Sequence, residues 1–191
     1  MQNVLIISGH PNLQESVGNA TILHDVAQAL PQAEIRRLDT LYPDYQIDVA
    51  AEQAALLNAD VIVWQFPFSW YSVPGLMKLW IDQVMVHGFA HGSTAKLGGK
   101  KLILSFTTGA PQALYATDGF FGHTIEDYLV QFETTARLCN LDLQPPVYTS
   151  GISYAGRDDA LIAQQKMAAK EHAARLVAAL NMLSPEPARV A

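Results

Sequence analysis

DVIVWQFPFSWYSVP, residues 60–74, is the stretch on which the fold turns. Its first seven residues are almost wholly apolar, the pattern of a strand buried on both faces, as in a parallel sheet. The strand stops at Pro67, and Phe66, Phe68, Trp70 and Tyr71 crowd a turn that Pro74 closes. Pro74 to Val86 then reads as a helix whose stripe of Met77, Leu79, Trp80 and Met85 belongs to the core or to a subunit interface. A loop that leaves the carboxyl edge of a parallel sheet faces the crevice where open α/β folds bind ligands. Aromatics so dense on such a loop suit a flat ring; the competing role for Trp70 and Tyr71 is to cover the core.

Working outward, Asn3–Ser8 is a short branched apolar strand that empties into Gly9-His10-Pro11. A helical stripe of Ile22, Leu23, Val26, Ala27 and Leu30 follows over residues 20–30, and Pro31 closes it. Residues 33–38 give a weaker, more alternating strand suited to a sheet edge. After the turn Tyr42-Pro43-Asp44-Tyr45 comes a short helix over 50–58, and KLILSFT, residues 101–107, makes a fourth strand. A helix over 124–140 leads to a fifth strand over 143–148, and a last helix runs from about 158 to 183. Strand and helix alternate without a linker or repeat, and short right-handed crossovers force the strands parallel. The expected architecture is α/β: a doubly wound five-stranded parallel sheet of the flavodoxin type, order 2-1-3-4-5, with helices on both faces. It forms one domain over residues 1–184 with a polar tail at 185–191.

Half of the 191 residues are hydrophobic, enough for a substantial core. Twelve basic residues against 18 acidic, a net charge of −6 and no basic run exclude a nucleic-acid partner. The single cysteine, Cys139, sits among Leu138, Leu141 and Leu143 as a core filler with nothing to activate it. No apolar run approaches the ~18 residues of a membrane span, and the chain opens on a strand instead of an export signal. The expected location is the cytoplasm, with any association to the inner membrane made through a partner protein. His87 and His91 have a zinc-like spacing, but Gly88 intervenes and no third ligand is near, so no metal is expected. His24, His123 and His172 read as surface or capping residues.

In that topology the loops after strands 1, 3 and 4 converge. Loop 1, residues 9–19, is rich in hydroxyl, amide and glycine and runs into a helix N-terminus, whose free N–H groups and positive dipole suit a phosphate. Ser16 would donate its hydroxyl and Asn19 its amide. Loop 1 lacks the lysine of a P-loop and the spacing of G-x-G-x-x-G, which argues against a nucleotide hydrolase or a Rossmann dehydrogenase. Loop 4, Thr107-Thr108-Gly109-Ala110 onward, offers hydroxyls and close backbone approach to the polar edge of a heterocycle. Phosphate pocket, aromatic floor and hydrogen-bonding rim together describe a flavin mononucleotide.

Ser8-Gly9-His10-Pro11 with Ser16 and Asn19, the run Gln65–Pro74, Leu79-Trp80-Ile81-Asp82, Gly88-Phe89-Ala90 and Thr107-Thr108-Gly109 resemble the flavodoxin-like NAD(P)H:quinone oxidoreductases over about residues 3–150. Within that family, residues 41–48 and Ala51-Glu52-Gln53 are similar to the short bacterial branch of KefF and KefG, ancillary subunits of glutathione-gated potassium efflux systems. The resemblance implies a homodimer with a flavin at each end of the interface, reduced by NADH or NADPH and reoxidised by a quinone in a ping-pong cycle. It places His10, Ser16, Val17, Gly18 and Asn19 at the phosphate and ribityl chain. Pro67, Phe68, Ser69, Trp70 and Tyr71 would line the ring system, with Thr107, Thr108, Gly109 and Ala110 at its rim. Tyr115 would stand over the substrate side, and the loop around Phe89 and His91 would reach the second subunit's site, making Tyr115 and His91 the candidate catalytic residues. Ala110 stands where family members often have a second glycine, and His91 where the longer branch has an aromatic. The chain lacks the C-terminal extension of the FAD-using members, so FMN is expected over FAD. The alternative function is an interaction module that gates a potassium-efflux membrane protein. A one-electron carrier is a third reading, against which the open aromatic slot argues.

Overall fold

The computed structural model describes residues 2–183. Its elements are β1 (Val4–Ser8), α1 (Gly18–Ala29), β2 (Glu34–Arg37), α2 (Leu38–Leu41), α3 (Val49–Asn58), β3 (Val61–Pro67), α4 (Gly75–Val84), β4 (Lys101–Thr107), α5 (Ile125–Leu138), β5 (Asp142–Leu143), β6 (Val147–Thr149) and α6 (Asp159–Leu183). All strands pair in parallel, in the order β2-β1-β3-β4-β5. The single fifth strand expected over 143–148 is in fact two short ones, β5 and β6, both on β4. Pro145 and Pro146 lie between them; without N–H groups they cannot continue the ladder. The tail at 185–191 lies outside the described residues.

Alternation along the strands divides the core in two. Leu5, Ile7, Ile62, Trp64, Phe66, Leu102, Leu104 and Phe106 face α3, α4 and α5, where Leu56, Met77, Trp80 and Phe132 pack against them. Ile6, Val61, Val63, Ile103 and Val147 face α1 and α6, against Ile22, Val26, Ala173 and Leu176. Cys139 is buried in the first core, as its leucine neighbours imply, and burial pushes its thiol pKa up. Met77, Trp80 and Met85 are core residues too.

The helical layer on the first face is pinned by one buried carboxylate. Glu52, on α3, accepts from Arg36 Nε and Nη2 on β2 (2.8 and 2.6 Å), from the Tyr42 hydroxyl (2.5 Å) and from Trp80 Nε1 on α4 (2.8 Å). A charge so deeply buried persists only when every lone pair is used, and here both oxygens are. Burial, then the bond to Glu52, pushes the Tyr42 phenol up to about 12.

On the second face the strands change character at their carboxyl ends. Ser8, Gln65 and Ser105 lie in register, each two residues beyond the apolar Ile6, Val63 and Ile103, and all three are buried. His172 on α6 meets this layer. It is fully buried, against the expectation of a surface or capping role, and it bonds Ser105 Oγ (2.8 Å) and Thr149 Oγ1 (3.0 Å). Those partners are what admit a histidine to the face of an apolar helix. Burial, reinforced by Arg175, lowers its pKa to about 3.

Two outcomes follow for stability. Replacing Glu52 by Ala strands a guanidinium, a phenol and an indole N–H, and urea unfolding should register a loss of about 3–5 kcal/mol; an unchanged midpoint would contradict the anchoring role. For His172 the folded pKa lies below the unfolded value near 6.5, so beneath that pH the unfolded chain takes up a proton that the folded one refuses. Stability should therefore be intact above pH 6.5 and fall as the pH drops toward 3, by on the order of 4 kcal/mol in full. Urea midpoints against pH should show a shallower acid limb in His172→Gln, and identical slopes would refute the assignment.

Candidate functional site

Loop 1 is tied to the sheet at its root, where Gly9 N–H donates to Gln65 O at 2.8 Å. A side chain at Gly9 would overlap Met77 on α4, so glycine is what allows the loop to leave the strand there. Leu13 anchors the loop in the core, and its N–H donates to Asp39 Oδ2 (3.0 Å). Burial alone would raise Asp39, but the Arg37 guanidinium at 2.8 Å and the Leu13 N–H outweigh it and hold the carboxyl below its ordinary range. Half-buried His10 accepts from Asn12 N–H through Nδ1 (3.1 Å). Its pKa is lowered by burial, against the pull of Asp39, so its neutral ring keeps a donor on Nε2.

Ser16 Oγ accepts the Asn19 N–H at 3.1 Å, which leaves the hydroxyl proton to give away. Ser16, extended just before the helical Val17, thus caps one of the N–H groups at the α1 start. Among the described residues, the N–H groups of Val17, Gly18 and Ala20 have no protein partner. They form the positive end of a 12-residue helix. A Cβ at Gly18 would come within 2.6 Å of Ile152 Cγ2, so glycine lets the segment after β6 close over the helix start.

Loop 3 joins loop 4 at its base, Phe68 N–H donating to Thr107 O at 2.8 Å. The Phe68 ring turns into the core against Phe106 and Tyr128, so it meets packing and only its backbone borders the crevice. Trp70 does the opposite: it is 91% exposed, which excludes core cover. Trp70 and Tyr71 both hold left-handed backbone, φ 49° and 63°. Non-glycine residues in that region cost free energy and concentrate at ligand-contacting loops. Tyr71 stacks on Tyr128 of α5 (centroids 5.0 Å apart, 17° between planes) and meets Phe121 edge-on at 5.6 Å.

In loop 4, Thr108 is buried, with its hydroxyl donating to Ala110 O at 2.8 Å. The loop is laced to the segment after β6 by Thr108 N–H to Thr149 O (3.0 Å), Ile152 N–H to Thr108 O (2.8 Å) and Gly151 N–H to Ala110 O (2.9 Å). The N–H groups of Gly109 and Ala110 keep no protein partner among the described residues. Tyr115 lies buried beside Phe121 at 4.9 Å. Burial raises its pKa, so the phenol keeps its proton in neutral solution. Phe89 is a core residue, while half-buried His91 faces His87 edge-on at 5.4 Å. No cluster of metal-ligating side chains occurs among the described residues.

Loops 1, 3 and 4 are drawn together at their roots by Gly9 N–H to Gln65 O, Phe68 N–H to Thr107 O and Asn19 Nδ2 to Thr107 Oγ1. Asn19 behaves otherwise than expected. Its amide is buried, accepting from Gln65 Nε2 (2.8 Å) and donating to Thr107 Oγ1 (3.0 Å), because an amide inside the core must satisfy both ends. It braces the crevice from below and does not offer its amide to a phosphate. The segment Ser150–Ser153, Gln65 and His172 were missed as parts of the site. The signal for Gln65 lay in a polar residue, Gln65 or Ser105, at the same place near the end of two otherwise apolar strands. An open cavity of about 460 Å³ also borders loop 1 on the β2 side, lined by Asn12, Arg37, Asp39, Tyr42 and Tyr45. Its charged groups already pair with each other, unlike the unspent donors of the crevice.

An FMN fits this donor set: unpaired N–H groups and a free hydroxyl proton at the α1 start, an exposed indole on loop 3, and unpaired N–H groups on loop 4.

Comparison with known proteins places the fold among characterised relatives. The chain is 43% identical over 177 residues to the glutathione-regulated potassium-efflux system ancillary protein KefF of Salmonella typhi, covering 92% of this chain and 96% of that one. It is 42% identical over 165 residues to KefF of Klebsiella pneumoniae strain 342, covering 85% and 90%. Among solved structures it superposes on general stress protein 14 of Treponema denticola in complex with FMN, with a TM-score of 0.83 and 35% identity over 93% of this chain and 99% of that one. An NADPH-quinone reductase from P. pentosaceus gives a TM-score of 0.68 at 25% identity, over 91% and 98%. No helix among the described residues is long and apolar enough to cross a membrane. The family model for the flavodoxin-like fold matches residues 2–173, and the chain belongs to that family.

Proposed function

We propose that the crevice binds FMN and that the protein is an FMN-dependent NAD(P)H:quinone oxidoreductase, moving two electrons from NADH or NADPH to a quinone or a similar flat electrophile. The observation that carries this reading is the convergence of loops 1, 3 and 4 at the carboxyl edge of the sheet, which brings the free N–H groups of the α1 start, the exposed Trp70 and the unpaired N–H groups of Gly109 and Ala110 to the same edge. The FMN supplies the redox chemistry when bound, taking a hydride from the nicotinamide and passing it on. The residues of the chain bind and orient. Ser16 and the N–H groups of Val17 and Gly18 hold the phosphate, and His10 adds a neutral donor. Trp70 and Tyr71 provide the stacking surface, with Pro67 and Ser69 shaping the loop beneath. The unpaired N–H groups of Gly109 and Ala110 would supply fixed dipoles for the ring edge that gains negative charge on reduction, with the Thr108 N–H spent on Thr149 O to hold the loop in place. Tyr115, protonated at neutral pH, offers a hydrogen bond on the acceptor side. In a homodimer His91 faces the second copy's crevice.

The KefF relatives favour a second reading, in which the FMN-loaded protein is the ancillary subunit of a glutathione-gated potassium efflux system. The two readings are compatible, and turnover separates a purely regulatory role from an enzymatic one.

Purified protein should release FMN by mass and oxidise NADH or NADPH rapidly only when a quinone is added; bound FMN with negligible turnover would leave the ancillary role alone. Trp70→Ala should weaken FMN binding about three- to tenfold, the worth of one aromatic contact. Because that side chain is solvent-exposed, the urea midpoint should not move. Unchanged affinity would remove Trp70 from the site.

A further inference from the structure

The polar layer at the carboxyl ends of the strands is a continuous chain. Arg175 Nη2 donates to Thr149 Oγ1 (2.8 Å), Thr149 meets His172 Nδ1 (3.0 Å), and His172 Nε2 meets Ser105 Oγ (2.8 Å). Ser105 Oγ bonds Gln65 Oε1 (2.5 Å), Gln65 Nε2 donates to Asn19 Oδ1 (2.8 Å), and Asn19 Nδ2 donates to Thr107 Oγ1 (3.0 Å). Such a line has two settings, because flipping both amides and the imidazole tautomer reverses every proton. Arg175 breaks the tie. A guanidinium only donates, so Thr149 accepts from it and spends its own proton on His172 Nδ1. The imidazole then carries its proton on Nε2, Ser105 gives its proton to Gln65, and both amides point the same way. In the reverse setting Thr149 would accept twice and leave its own proton unspent. In the forward one the last unspent proton is on Thr107, which is 4% exposed and whose methyl lies 3.7 Å from where a Gly18 Cβ would be, beside the α1 start.

We propose that this chain is a one-way hydrogen-bond relay, running from Arg175 through His172 to Thr107, that fixes the Thr107 hydroxyl as a donor to an acceptor oxygen bound at the α1 end of the crevice. His172 is then a positioning residue that acts through three intervening side chains, Ser105, Gln65 and Asn19. The second half of the statement rests on the FMN reading, the first half does not. The neutrality that burial enforces on His172 keeps one ring nitrogen an acceptor, as the relay requires, since a protonated ring would donate at both ends.

The test uses the full chain. In ligand-free protein labelled with ¹⁵N-histidine, long-range ¹⁵N–¹H correlation should give His172 as the neutral tautomer with hydrogen on Nε2; hydrogen on Nδ1 would overturn the relay. FMN titration of the apoprotein by flavin fluorescence supplies the second readout. Thr107→Val should weaken FMN binding about five- to tenfold, the loss of one neutral hydrogen bond, and Thr107→Ser should restore it. Ser105→Ala, which cuts the line midway, should weaken binding less. Combined with Thr107→Val it should add nothing, since both act through one proton. Additive losses, or no loss in Thr107→Val, would overturn the proposal. Wild-type protein that binds no FMN would refute the flavin reading and leave the relay to be judged by the tautomer.

Discussion

Everything functional in this molecule depends on three strands ending at one level. β1, β3 and β4 pair in parallel with Ser8, Gln65 and Ser105 side by side, so their loops start from a common line. Two backbone bonds, Gly9 N–H to Gln65 O and Phe68 N–H to Thr107 O, carry the alignment one step past the ladder. A parallel sheet leaves no alternative to this arrangement, because each crossover helix returns the chain to the same edge. Three chemically different loops, far apart in the chain, become the walls of one crevice.

What lies under the crevice is as constrained as what lines it. Two residues from the loops, the sheet face toward α1 and α6 exchanges isoleucine and valine for serine, glutamine and threonine. Buried polar groups of that kind call for partners, and Asn19 and His172 supply them to Gln65, Ser105 and Thr107, while the Ser8 hydroxyl has none. On the other face a single carboxylate, Glu52, performs the corresponding task for α3, α4 and β2. The crevice itself is charge-poor: its donors are backbone N–H groups, hydroxyls and a neutral imidazole. Such a set holds an anion by geometry and not by net charge, which suits a cofactor that is kept and not exchanged.

The strand order, the helices on both faces and the meeting of the three loops were legible in the sequence, because periodicity and the alternation of elements encode them directly. The exposure of Trp70 followed from its place on a loop between Pro67 and Pro74. Three features were not legible. The break between β5 and β6 was signalled by Pro145 and Pro146, but Leu143, Val147 and Tyr148 on either side read as one strand and hide the three-residue interruption 144–146. The burial of His172 depends on Ser105 and Thr149, which lie 67 and 23 residues away in the chain, and no local pattern announces partners at such separation. The Asn19 amide followed local logic, a polar residue at a helix start, and was overruled by Gln65 and Thr107 reaching it from across the sheet.

The most direct test of the account compares FMN with riboflavin, which differ only by the phosphate. Calorimetric titration of the apoprotein should give FMN the tighter binding by about 100-fold, the worth of several charge-assisted bonds to the free N–H groups at the α1 start. Equal affinities would mean that the crevice does not recognise a phosphate there, and would contradict the account.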